Sequence, residues 1–122
     1  MIQHVVNRTK KSKRITNLIF SSSIKKSDDE LIAHLKKNKI KFFRGDLKNV
    51  ALRLYKTAIK NKAKFFVRIN GDSPLIDPKL IDRAIKISKI EKRYDIVTNV
   101  FPRTFPKGQS VEVIKTSIIK RY

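Results

Sequence analysis

At 122 residues the chain has room for one small domain, and 40% hydrophobic residues are enough to give that domain a buried core. It contains no cysteine, which excludes disulfides, thiolate metal centres and thiol nucleophiles, and no apolar run is long enough to cross a membrane. Thirty Lys and Arg against ten Asp and Glu give a formal charge of +20 at pH 7; this suits a nucleic-acid binder, but lysines such as Lys36, Lys56, Lys60, Lys86 and Lys92 are spread over many segments, which favours a generally solvating surface.

Residues 2 to 11 read as a helix, with Ile2, Val5 and Val6 spaced along one face in a segment too polar for a secretory leader. The dense run Arg8-Thr9-Lys10-Lys11-Ser12-Lys13-Arg14 follows as a connection without interleaved aromatics. Ile15 to Ser21 reads as a short buried strand. Ser27-Asp28-Asp29-Glu30 has the form of a capping box, its acids suited to the positive end of a helix. Leu31, Ile32 and Leu35 supply that helix with an apolar face, and Asn38 a stop. Ile40 to Phe43 is a second strand, ended by Arg44-Gly45-Asp46. Val50, Leu54 and Ala58, with Ala51, Tyr55 and Ile59, trace a helix to about Lys62. Residues 64 to 69 form the third strand. Asp77 is placed to cap a helix with Pro78 at its first position, and Leu80, Ile81, Ala84, Ile85 and Ser88 line its inner face. Tyr94 to Val100 is a fourth strand, Ser110 to Ile114 a fifth, and Thr116 to Tyr122 opens another helix.

Strands alternating with helices, and the continuous apolar run Phe65-Phe66-Val67, predict an α/β fold: a mostly parallel sheet with flanking helices in a single domain, 1–122. In such sheets ligands bind outside the carboxyl ends of the strands. The third strand runs into Asn70-Gly71-Asp72-Ser73-Pro74, which puts a carboxylate at that edge. Mg²⁺ prefers carboxylate and phosphate oxygens, so Asp72 is the candidate centre of metal-assisted phosphate chemistry, although Asp and Gly also favour such turns for local reasons. His4 and His34 fall in helices among polar neighbours and read as surface groups. No glycine precedes Gly45, so the Gly-rich phosphate loop of a nucleotide-binding fold, and the strand before it, are missing. The chain reads as the middle of a longer protein.

Taken in order, Ser22-Ser23…Asp28-Asp29, Phe43-Arg44-Gly45, Val50…Arg53…Tyr55, Arg68-Ile-Asn-Gly-Asp72-Ser-Pro-Leu-Ile-Asp-Pro78, Tyr94-Asp95…Asn99, Pro102-Arg103-Thr104-Phe105-Pro106…Gly108 and Val111-Glu112-Val113 resemble the acylneuraminate cytidylyltransferase family. The nearest branch is the one named for spore coat polysaccharide biosynthesis. The resemblance runs from Met1 to about Lys115. It implies a nucleotide-diphospho-sugar-transferase-like (Rossmann-like) fold, incomplete here. It also implies transfer of CMP from CTP to an acidic or modified sugar with Mg²⁺, in the cytoplasm, a homodimer being an allowed assembly. On that analogy Asp72 is the catalytic residue and metal ligand. Ser22, Arg68, Asn70 and Gly71 would contact the nucleotide, and Asn99, Arg103 and Glu112 the sugar. The family's Ser-x-Arg-Leu-Pro-x-Lys signature is missing, and Ser110 stands where many relatives carry an aspartate, which leaves the second metal ligand open, with Glu112 as the alternative. Two other readings are a catalytically dead remnant of the same fold and a basic nucleic-acid-binding module, the second motivated by charge alone.

Overall fold

Helix and strand alternate through the described residues, 1–100, 102–103 and 106–120, of a computed structural model. The order is α1 (Ile2–Thr9), β1 (Phe20–Ser23), α2 (Asp29–Lys37), β2 (Phe42–Gly45), α3 (Val50–Lys60), β3 (Phe65–Arg68), α4 (Pro78–Ile90), β4 (Ile96–Thr98), β5 (Glu112–Lys115) and α5 (Thr116–Ile119). Arg121 and Tyr122, the end of the last expected helix, and Thr104 and Phe105 of the Pro-rich motif lie outside the described residues. The chain divides into two compact units, one formed by Met1–Thr16 and Phe65–Lys115, the other by Asn17–Lys64 and the segment from Thr116.

In the first unit three strands pair in the order β3-β5-β4. Val67, Val113 and Val97 lie side by side across them. Val113 joins Ile76, Ile81, Ile85 and Val111 in the buried core, to which Val67, Val97, Ile15, Ile69, Leu80 and Ala84 add partly buried apolar surface. α4 follows the expected pattern: Asp77 Oδ1 accepts from the Lys79 amide at 2.9 Å, and Pro78 occupies the first turn, where its missing N–H costs nothing. α1 packs beside α4. The basic run after α1 is tied down by Asp82 of α4, whose carboxylate accepts from the Ser12 hydroxyl, the Lys13 amide (3.1 Å) and the Arg14 amide (3.2 Å). Burial alone would raise the Asp82 carboxyl, but the Ser12 hydroxyl and the two amides outweigh it and hold it below the ordinary value.

In the second unit β1 and β2 pair in parallel, Phe20 opposite Phe42 and Ser23 opposite Gly45. α3 lies against β1 and β2, and α5 against α3. Asn49 caps α3 by accepting from the Leu52 amide at 2.9 Å. A Cβ on Gly45 would stand 2.9 Å from Arg53 Cγ and 3.0 Å from a Phe43 ring carbon, so only glycine fits this crossing of β2 and α3. α2 and α3 both end in a lysine at positive φ, Lys39 (55°) and Lys62 (54°). In each case the next amide returns to the helix, Ile40 N–H to Leu35 O at 2.9 Å and Ala63 N–H to Ala58 O at 2.9 Å. That is the Schellman closure, built here on lysine where glycine is usual.

The α/β class stands as expected; the pairing within it is more specific. Parallel pairing is confined to β1–β2, while β5 runs antiparallel between β3 and β4. Apolar periodicity marks a segment as a strand without naming its partner, and the partner of β3 is the distant β5. The expected capping box also gives way. A 3-10 turn spans Lys26–Asp28 before α2, and no side chain caps it. Asp28 turns instead to β1, its Oδ2 accepting from the Ser22 hydroxyl (2.8 Å), the Ser23 hydroxyl (2.5 Å) and the Ser23 amide (3.0 Å). Three donors at a strand end outbid one free helix amide.

Candidate active site

The loop between β3 and α4 is anchored from beneath and open above. Ile76 is fully buried, Ser73 is buried, and Ile69 packs against the core. Two backbone bonds fold the loop, Ser73 N–H to Asn70 O (3.1 Å) and Ile76 N–H to Ser73 O (3.2 Å). Asn70, Asp72 and Leu75 are thereby left on the outside. Opposite them the chain leaving β4 returns to β5. The side chain of Asn99 fastens the base of that return, accepting from the Val111 amide at 2.9 Å and donating to the Gln109 carbonyl at 2.8 Å. A turn at Pro106–Gln109 closes with Gln109 N–H on Pro106 O (3.3 Å). Its third residue, Gly108, has φ of 89°, as a type II turn requires.

Between these loops lies a cleft of about 420 Å³, lined on one side by Asn70, Asp72, Ser73, Pro74 and Leu75 and on the other by Arg103, Lys107, Gly108 and Ser110. Of the lining residues Asp72 carries the one carboxylate, and it shares the lining with two cations, Arg103 and Lys107. Arg103 donates to the Ser110 hydroxyl at 3.3 Å, which steadies the guanidinium at the rim. None of the ion pairs among the described residues involves Asp72. Nor do the described residues gather three His, Cys, Asp or Glu side chains into a metal cage. The donor set fits Mg²⁺ all the same, since that ion is commonly held by one or two carboxylates and completes its shell with substrate phosphates and water. It would not fit a metal that needs a protein cage.

The residues singled out in the sequence thus fall into three groups. Asn70, Asp72 and Arg103 meet around the cleft, with Gly71 in the turn between the first two. Arg68 and Glu112 face each other across β3 and β5 and form an ion pair at 3.2 Å, so each neutralises the other. Asn99 is spent on backbone groups. Ser22 belongs to the second unit, where its hydroxyl donates to Asp28. Ser23 and Ser22, with Arg44 nearby, hold the Asp28 carboxyl below its ordinary value. Arg44 itself donates to the Ser23 and Lys25 carbonyls at 2.8 Å each and pairs with Asp29 at 2.9 Å. Sequence reasoning passed over Lys107, although Pro106-Lys107-Gly108 is a readable turn that sets the lysine at its tip. It also passed over Leu75, whose exposure on an apolar helix approach has no sequence signal.

Comparison with known proteins identifies the family. A family model described as Cytidylyltransferase matches residues 1–115. The chain is 37% identical over 70 residues to the spore coat polysaccharide biosynthesis protein SpsF of Bacillus subtilis, covering 57% of this chain and 29% of that protein. It is 30% identical over 88 residues to the 3-deoxy-manno-octulosonate cytidylyltransferase of Geobacter sulfurreducens, covering 70% of this chain and 33% of that one. The solved structure of a cytidylyltransferase from Leptospira borgpetersenii superposes with a TM-score of 0.92 at 29% identity, over 98% of this chain and 51% of that chain. The chain therefore spans about a third of the two curated relatives and about half of the solved one.

Proposed function

The chain belongs to the cytidylyltransferase family, and from that premise we propose that it is the central part of an enzyme that transfers CMP from CTP to an acidic sugar, of the sialic-acid or 3-deoxy-manno-octulosonate kind, for surface polysaccharide synthesis. The observation that carries the proposal is the cleft that Asp72 lines together with Arg103 and Lys107, inside the region the family match covers. In the reaction a sugar hydroxyl oxygen would attack the α-phosphorus of CTP, the new O–P bond forming as the hydroxyl gives up its proton to solvent and the bond to the departing pyrophosphate breaks. Mg²⁺, when bound, neutralises phosphate charge as that charge shifts to the leaving group. Asp72 would hold the ion, with Asn70 and Gly71 shaping the loop around the phosphates. Arg103, with its planar fork of donors, and Lys107 would take the sugar carboxylate. The Arg68–Glu112 pair keeps the ends of β3 and β5 in register beneath them. No helix among the described residues is long and apolar enough to cross a membrane, and the reading places the protein in the cytoplasm with its nucleotide.

The test is a titration of the isotopically labelled chain with CTP and Mg²⁺, followed by NMR. Shifts centred on Asn70–Leu75, dependent on Mg²⁺ and lost in Asp72→Ala, are the expected result. Shifts elsewhere, or shifts indifferent to Asp72→Ala, would remove the assignment. The chain alone is expected to release no measurable pyrophosphate from CTP, because no Gly-rich loop is present to preorganise backbone amides around the transferring group. A second reading, a basic nucleic-acid-binding module, rests on the +20 charge. It would require sub-micromolar, sequence-selective binding at about 0.15 M salt, where diffuse attraction is screened within roughly 8 Å.

A further inference from the structure

We infer that Arg8 is a positioning residue for the Asp72 loop, holding from α1 the backbone that presents Asp72 to the cleft. Its Nε donates to the Ile76 carbonyl at 2.6 Å in a half-buried setting. Ile76 is fully buried and sits between Leu75, which lines the cleft, and Asp77, the cap of α4. The first turn of α4 closes on the Asp77 carbonyl, which accepts from the Leu80 and Ile81 amides. The carbonyl of Ile76 lies one residue outside that ladder and takes its partner from Arg8. Burying it without one would be costly.

From Arg8 the bonds run in series along the loop. Arg8 holds Ile76 O, Ile76 N–H holds Ser73 O, and Ser73 N–H holds Asn70 O. Gly71 and Asp72 are enclosed by the last of these. The connection that follows α1 is fixed to the same helix by a second clamp, Asp82 with the Ser12 hydroxyl and the Lys13 and Arg14 amides. α1 and this connection therefore grip α4 on both sides of its first turn, and the basic run Arg8–Arg14 gains a role that its charge does not disclose.

The inference rests on the reading of Asp72 given above, but its test does not depend on turnover. Arg8→Met keeps the length of the stem and removes the donor; Arg8→Lys returns a cation of similar reach. Amide hydrogen exchange read by NMR should show the Ser73 and Ile76 amides exchanging about tenfold faster in Arg8→Met, as expected for the loss of one charge-assisted bond. The Lys115 amide, bonded to Asp95 O at 3.0 Å, should be unchanged, and Arg8→Lys should recover part of the protection. The CTP and Mg²⁺ shifts at Gly71 should weaken in Arg8→Met. Unchanged exchange at Ser73 and Ile76, acceleration shared equally with Lys115, or no recovery in Arg8→Lys would each overturn the assignment. If the nucleotide perturbs neither Gly71 nor Asp72 in the wild-type chain while Arg8→Met still loosens the loop, the positioning role stands and the nucleotide reading falls.

Discussion

Two helix-to-strand junctions in this chain begin alike and end differently. Lys37-Asn38-Lys39-Ile40-Lys41-Phe42-Phe43 and Lys60-Asn61-Lys62-Ala63-Lys64-Phe65-Phe66 repeat one pattern. In both, the asparagine side chain donates back to the helix at 2.8 Å, to His34 O and to Thr57 O. In both, the following lysine takes the left-handed turn. Beyond the paired phenylalanines they part. β2 lies parallel to β1, and its Arg44 is consumed by Asp29 and two carbonyls. β3 lies antiparallel to β5, and the chain continues past Arg68 to Asp72 and the cleft. A short sequence dictates the cap, whereas distant partners dictate what the strand end presents.

The acids near the two strand ends carry the same lesson. Asp28 spends one oxygen on three serine donors, while Asp72 lines a cleft together with two cations. The sharpest way to break this comparison is to neutralise each in turn. On the function proposed above, Asp72→Asn should weaken the Mg²⁺-dependent response to CTP by at least about tenfold, the lower bound for disturbing even the outer shell of a metal site, with stability within about 0.5 kcal/mol of wild type. Asp28→Asn should instead lower the melting temperature by calorimetry. If the two variants exchanged phenotypes, the roles assigned here would be reversed.

Gly45→Ala probes the junction that Gly45 closes, and should cost about 1–3 kcal/mol by urea unfolding, because the added methyl meets Arg53 and Phe43 within 3.0 Å. Acid should find the engaged carboxylates next. Asp28 and Asp82 both titrate below their ordinary value. Each therefore stabilises the fold above that value, about 3.9, and loses its contribution as the pH falls through the lowered one. Stability should be level from about pH 5 to 7 and drop below about pH 4, with a shallower drop in Asp28→Asn and Asp82→Asn. The smallest effect should come from the repeated caps: Lys39→Gly and Lys62→Gly should each stabilise by about 0.5–1 kcal/mol, since glycine adopts positive φ without the side-chain penalty. Equal gains at the two sites would confirm that the junctions are energetically alike; unequal gains would place the difference in the helices rather than beyond the phenylalanines.

What the sequence disclosed follows the range of the interactions concerned. α4 was readable to the residue, because Asp77 and Pro78 act on the helix they begin. The strands were readable as strands, but β1 (Phe20–Ser23) starts five residues and ends two residues beyond the expected Ile15–Ser21, and β2 (Phe42–Gly45) lies two residues beyond the expected Ile40–Phe43, since their ends are set by pairing. That β5 enters antiparallel between β3 and β4 depends on Val97, Val113 and Val67 meeting across the sheet, which no local pattern announces. The same holds around the cleft. Asp72 and Arg103, singled out by motif order, both line the cleft, whereas Asn99, Arg68 and Glu112 are engaged with the fold's own groups. Polar residues at strand ends look alike in sequence whether they serve a ligand or the backbone.

The doubly bonded side chain of Asn99 has a further consequence, for how the protein can vary. By engaging Gln109 and Val111 it does the work of one more rung of the sheet, so the described part of the return beyond it closes on itself, Val100 bridging Arg103 and Gln109 N–H bonding Pro106 O. Substitutions at exposed described positions of that return, such as Pro102 and Lys107, should therefore leave β4 and β5 in place, because Asn99 joins the strands behind them. Arg103 and Lys107 ride on this tolerant stretch, whereas Asp72 stands on a loop tied to the core at several points. On the function proposed above, the side of the cleft assigned to the acceptor can thus vary while the Asp72 loop stays, with Asn99 as the boundary between them.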